Sequence, residues 1–244
     1  FPGAVAMWGH PSSPQITVRG LRGLSRNALP VSVDLLYDLA SLTKVLVTSS
    51  LAMIAVTKDR LDLNQPLTEG PLSEFLPWKG ITAEHLLAHQ SGLPAWRAFH
   101  RLPVVADKIE RRNQVLSALS SVSPETPPGR KTIYSDLNFL TLGFLLEEVF
   151  GEKLDALFRR EIADPLNLPR LGYRPLCGHL APTEDGFRWG GPIGDSTGGS
   201  RGPVPLGRAH VHHAAFLISV AGAAGPFGVA ESVWALACQW SLAL

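Results

Sequence analysis

Ser41-Leu42-Thr43-Lys44 runs directly into Val45–Val56, a stretch that is almost wholly apolar. No other part of the chain restricts its folding as tightly. A run of this kind reads as a helix buried on most sides, and therefore as a rigid mount for whatever sits at its start. Residues three apart share a helix face, so the Ser41 hydroxyl and the Lys44 amine can meet there as nucleophile and base. Burial disfavours a charged lysine, a neutral amine can take the serine proton, and a helix N-terminus favours negative charge forming nearby. The same letters also fit a first-turn serine beside a lysine that snorkels to solvent, because one Ser-x-x-Lys match is expected by chance in roughly this length of chain.

What the rest of the chain can do is bounded by its composition. With 244 residues, 45% of them hydrophobic and 18% charged, it can bury a sizeable core as one large domain or two intertwined ones. The formal net charge of +1 leaves no basic stripe for nucleic acid, so the expected partner is a small molecule. The 23 glycines and 20 prolines predict long irregular connections, mostly after about residue 165. Cys177 and Cys238 are too few for a disulfide framework and have no metal-ligand spacing. Ala214–Ala230 falls short of the ~20 residues of a membrane span and contains Gly222, Gly225, Pro226 and Gly228, so it reads as a buried loop and helix start. The chain opens on Phe1 without a leader, which suggests a piece of something longer. Periplasmic or secreted placement is expected if a leader was removed, and cytoplasmic placement otherwise.

Along the chain, Phe1–Gly9 and Ile16–Gly23 read as a β-hairpin around His10–Gln15, with no convincing later strand to join it. Thr82 caps a short helix that Gly92 and Pro94 end, with Leu86 and Leu87 facing inward. His85 and His89 in it lie four apart but lack a third metal ligand, and a partly buried His89 bonded to nearby backbone is the plainer assignment. Arg112–Ser121 is a further amphipathic helix. Tyr134 ends an extended piece, Asp136 stands at an N-cap position, and Leu137–Phe150 is the helix that follows. A phenol there could share a proton with a serine and a lysine, or be an ordinary core tyrosine. Gly194–Gly199 lacks the Gly-Lys-Ser/Thr ending of a phosphate loop, and His210, His212 and His213 read as loop histidines.

Taken together, Ser41-Leu42-Thr43-Lys44, Leu86–Pro94, Pro128-Gly129 with Tyr134-Ser135-Asp136-Leu137, Ala181–Glu184 and Val220–Glu231 resemble, in order, the serine β-lactamase and penicillin-binding-protein superfamily, and within it the class C and esterase-like branch. The resemblance implies an α+β fold: an antiparallel sheet flanked by helices, formed by residues 1–64 and 171–244, with a mostly helical region inserted at 65–170. It implies that Ser41 is the acylated nucleophile, Lys44 its activating partner and Tyr134 an aid to proton transfer. Asp136 stands where the family has a substrate-binding asparagine, and a carboxylate beside Lys44 favours the charged amine. Ala223 stands where the branch usually has a histidine. The third motif, Lys-Thr-Gly or His-x-Gly on a late strand, is expected after Glu231 and is not found before Leu244; Ser196-Thr197-Gly198 has its letters in another place. The expected activity is hydrolysis of an ester, a β-lactam or a D-alanyl peptide through a Ser41 acyl-enzyme, without metal or cofactor. The competing expectation is a truncated, impaired or non-catalytic relative that keeps only the cleft.

Overall fold

The computed structural model describes residues 2–23, 26–103, 105–173, 179–181, 217 and 220–242. Its strands are β1 (Gly3–His10), β2 (Ser13–Gly20), β3 (Tyr37–Asp38), β4 (Leu171–Tyr173) and β5 (Pro226–Gly228). Its α-helices are α1 (Ser50–Thr57), α2 (Ala83–Leu87), α3 (Lys108–Ser120), α4 (Asp136–Phe150), α5 (Leu154–Phe158) and α6 (Ala230–Leu242). A π-helical turn, Lys44–Ser49, leads into α1, and a second, Arg159–Ala163, continues α5.

The architecture is α+β with antiparallel sheets. β1 and β2 pair from Gly3↔Gly20 to His10↔Ser13, so the turn between them is only Pro11 and Ser12. The hairpin is longer than expected: His10 and Ser13–Gln15, assigned to the connection, belong to the ladder. Every hairpin side chain remains at least partly exposed, and helix α6 lies against β1. The later strands that the sequence did not suggest are two or three residues each. β5 sits between β3 and β4, with Tyr37 opposite Gly228 and Tyr173 opposite Pro226. Such short runs carry too few residues to show a period-two pattern.

Helix α4 joins two bodies of core. Leu137, Phe139, Leu140, Leu142, Phe144 and Leu145 pack into a cluster with Leu72, Trp78, Ile81, Leu86 and Leu116. Leu146, the next residue, packs instead with Val47, Leu51, Leu157, Phe158 and Leu171. Gly151, left-handed at φ 68°, stops the helix. At its other end Ser135 takes the N-cap position and Asp136 falls in the first turn, one residue later than expected, where its carboxylate still complements the helix dipole.

The run Val45–Val56 is less enclosed than its composition suggested. Leu46, Val47, Leu51, Ala52 and Ala55 are buried, whereas Leu42, Val45, Met53 and Val56 are 52%, 49%, 48% and 37% exposed. They recur at helical spacing, so the helix has one buried and one open apolar face.

At α2 the Thr82 hydroxyl accepts from the His85 N–H while the His85 ring accepts from the Thr82 N–H, a reciprocal cap. Thr82→Ala should therefore destabilise the fold by about 1 kcal/mol, read as a lower urea midpoint with unchanged slope.

Candidate active site

Strand β3 delivers the chain to the site. Its last residue, Asp38, accepts the Ala40 N–H on Oδ1 at 2.9 Å, and Ala40 turns through a left-handed φ of 45°. An alanine held there is strained, and strain of this kind persists only where the surroundings enforce it. Ser41 follows immediately and is exposed, with the helix rising behind it.

One turn on, Lys44 is 3% exposed. Its Nζ donates to Ser41 Oγ at 3.0 Å, to Asp136 Oδ1 at 2.8 Å and to the Ala223 carbonyl at 3.2 Å. An ammonium has three donors, and here each faces an acceptor. The lysine does not snorkel. Nζ also lies 5.0 Å from the centre of the Tyr134 ring and 5.8 Å from that of Phe139, within cation–π range. Tyr134 is 56% exposed, so it lines the open side of the site rather than the core. The four residues singled out in the sequence, Ser41, Lys44, Tyr134 and Asp136, thus surround one ammonium group.

Two features escaped the sequence. The first is the loop before β5. Gly222 O accepts from the buried Thr48 hydroxyl at 2.6 Å, and Ala223 O accepts from Lys44. At Ala223 the side chain is beside the point, because the backbone makes the contact. Gly222 lies so close to α4 that a Cβ added to it would stand 2.1 Å from Phe139 O and 2.9 Å from the Gly143 Cα.

The second is the work done by His89-Gln90-Ser91-Gly92-Leu93-Pro94. The Ser135 N–H donates to His89 Nδ1 at 3.1 Å, and the Ser135 hydroxyl donates to Pro94 O at 2.7 Å. Asp136 N–H reaches Ala95 O at 2.9 Å and Ile133 N–H reaches His89 O at 2.8 Å. These bonds strap Tyr134-Ser135-Asp136 in place. His85 spends its ring on the α2 cap, so the two histidines do not act as a pair. His89 has its pKa pushed below the ordinary histidine value by burial and by the Lys44 charge, with Asp136 opposing.

Cys177, Pro182–Glu184, the Gly194–Gly199 run with Ser196-Thr197-Gly198, and His210, His212 and His213 lie outside the described residues. Cys238 is a free, half-buried thiol. No described helix is long and apolar enough to cross a membrane.

A family model described as Beta-lactamase matches residues 1–235. The chain is 29% identical over 175 residues to an N-acetylmuramyl-L-alanine amidase of Bacillus subtilis, a match covering 66% of this chain and 38% of that protein. It is 26% identical over 169 residues to a putative D-alanyl-D-alanine carboxypeptidase of Escherichia coli, covering 66% of this chain and 39% of that one. Among solved structures, FmtA from Staphylococcus aureus superposes with a TM-score of 0.73 at 19% identity, over 99% of this chain and 61% of its own. The matches thus span about two fifths of the curated relatives' length.

Proposed function

The chain belongs to the beta-lactamase family, and from that premise we propose that it is a serine hydrolase working through an acyl-enzyme on Ser41. The observation that carries this is the buried Lys44 Nζ, 3.0 Å from the hydroxyl of an exposed serine at the head of a helix. When Nζ is neutral, its lone pair faces Ser41 Oγ. The Oγ–H proton passes to the amine, the Oγ–C bond forms, and the carbonyl π pair moves onto oxygen. Collapse of that intermediate expels the leaving group, which takes a proton from the Lys44 ammonium or the Tyr134 phenol. Water then cleaves the ester on Ser41. The Ser41 N–H, at a helix start, is suited to hold the oxyanion. Asp136, beside the lysine and at the surface of the cleft, binds substrate through its polar edge. Esters, β-lactams and D-alanyl peptides share the acyl chemistry this requires, and relatives named as an amidase and a carboxypeptidase support it.

One observation favours a second reading, a cleft that binds without turning over. Each of the three lysine donors is engaged, and the Asp136 carboxylate at 2.8 Å stabilises the charged amine, which is no base.

Incubation with a fluorescent penicillin and with a fluorophosphonate, followed by peptide mass mapping, separates the two. A label on Ser41 supports the hydrolase. A label on another serine overturns the assignment, and no label with either probe supports the binding cleft.

A further inference from the structure

The ring of His89 touches neither Ser41 nor Lys44 in any hydrogen bond, yet it contacts Ser135, Asn138, Tyr134 and Phe139 around them. Nδ1 receives the Ser135 N–H at 3.1 Å and faces Asn138 Nδ2 at 3.4 Å. The orientation of that amide follows from its far end. Ser91 Oγ accepts the Leu93 N–H at 3.0 Å, so its own proton goes to Asn138 Oδ1 at 2.6 Å, leaving Asn138 Nδ2 as the donor toward His89. Ser91, Ser135 and Asn138 are each 0% exposed. With two donors aimed at it, Nδ1 carries no proton, and the neutral ring keeps its hydrogen on Nε2.

One ring face then sets an aromatic wall. The His89 ring centre stands 4.6 Å from that of Tyr134 and 5.0 Å from that of Phe139, the two rings that flank Lys44 Nζ. The residue is held in the left-handed region at φ 57°, a conformation that costs a histidine free energy and that the surrounding bonds must enforce. The charged groups that act on the ring are Lys44, from the nucleophile helix, and Asp136, from α4; the extended segment before α4 presents the Tyr134 phenol.

We propose that His89 is a positioning residue for the reaction at Ser41: as a neutral Nε2–H tautomer it holds Tyr134 and Asp136 in register around Lys44, and its protonation releases them. Protonating Nδ1 would turn the acceptor of the Ser135 N–H into a donor facing a donor. It would also set a second cation near the Lys44 ammonium. The site therefore loses its geometry as His89 takes up its proton.

The depressed pKa of His89 gives the same sign in stability. In the unfolded chain the ring takes a proton near its ordinary value of about 6.5, while in the fold it resists until lower pH. The unfolded state then binds more protons, so stability conferred by the neutral ring is complete above about pH 6.5 and drains away as pH falls through the folded value.

The proposal rests on Ser41 as nucleophile, and its test has one arm that does not. In nitrogen-detected NMR of the whole chain, His89 should keep Nδ1 bare and Nε2 protonated at pH 7.5, and should still do so where a free histidine is half charged, near pH 6.5. The Ser135 amide should shift as His89 titrates. An ordinary titration that leaves Ser135 unmoved overturns the proposal whatever Ser41 does. In the second arm, fluorophosphonate labelling of Ser41 is followed from about pH 5 to about pH 9 in the parent and two variants. His89→Asn keeps an acceptor near Nδ1, tolerates positive φ and cannot take the proton. It should label within about threefold of the parent at pH 7.5 and lose the parent's acid limb. His89→Phe keeps the stacked ring and loses the acceptor, and a site displaced by a fraction of an ångström should label at least about tenfold slower. Equal rates and identical acid limbs in all three proteins overturn the proposal. An unlabelled parent with the predicted NMR behaviour sinks the Ser41 assignment and leaves His89's hold on the segment standing.

Discussion

Replacing Lys44 with alanine should slow acylation of Ser41 by about a thousandfold or more, close to the effect of removing the serine itself. In the proposed mechanism the two side chains, 3.0 Å apart, act as one proton-transfer unit, and a unit missing either member retains little of its function. Truncation also leaves the Asp136 carboxylate, only 19% exposed, without its cation, so part of the loss arises from a rearranged α4 start. Labelling rates alone would conflate the two causes. The check is a pair of measurements, stopped-time labelling by fluorophosphonate and urea denaturation, on Lys44→Ala and Lys44→Met. If the alanine variant labels at the parent's rate, the lysine is a structural bystander and the hydrolase reading loses its base.

Gly222→Ala should be strongly destabilising, costing about 3 kcal/mol. The methyl group would meet the Phe139 carbonyl at 2.1 Å and the Gly143 backbone at 2.9 Å, and neither is the movable end of a side chain. Relief requires the loop to back away from α4. That shift would pull the Gly222 carbonyl from Thr48 and the Ala223 carbonyl from Lys44, so labelling of Ser41 should fall with stability. Urea midpoints of Gly222→Ala and, as a control with open space, Gly172→Ala, where a Cβ would meet nothing within 4 Å, test the steric argument. Equal midpoints for the two variants would show that the loop has room to yield.

The nucleophile helix, the Thr82 cap, the α4 helix and the grouping of Ser41, Lys44, Tyr134 and Asp136 were legible because each rests on side chains at a fixed spacing. Long helices announce themselves by periodicity, and ordered motifs by their sequence of letters. The features that stayed hidden are made of backbone. The Ala223 carbonyl on Lys44 and the left-handed turn at Ala40 leave no residue type by which to find them, and the glycines at 222 and 143 do not reveal that they meet each other. Strands of two or three residues hide for the same reason, since their partners lie far away in the chain. His85 and His89 follow the plainer assignment over a shared metal ligand: one closes a helix cap and the other, bonded to nearby backbone, braces the segment before α4. The open apolar face of the nucleophile helix also went unseen, because composition records how apolar a run is and not which side of it is covered.

The bond from Lys44 to Ala223 joins residues 179 positions apart, and the ion pair from Lys44 to Asp136 spans 92. Closing loops of that length costs entropy that only the finished packing of the intervening chain repays, so contacts of this reach form late in folding. A lysine in this position has only Ser41 as a partner until both halves of the polypeptide have arrived. Partly folded chains, which keep helices such as α3 through local bonds alone, would hold the serine and lysine one turn apart while lacking the carboxylate and carbonyl that complete the site. On the proposed reading, chemical competence at Ser41 would thereby require both of these long-range contacts and serve as a late marker of folding.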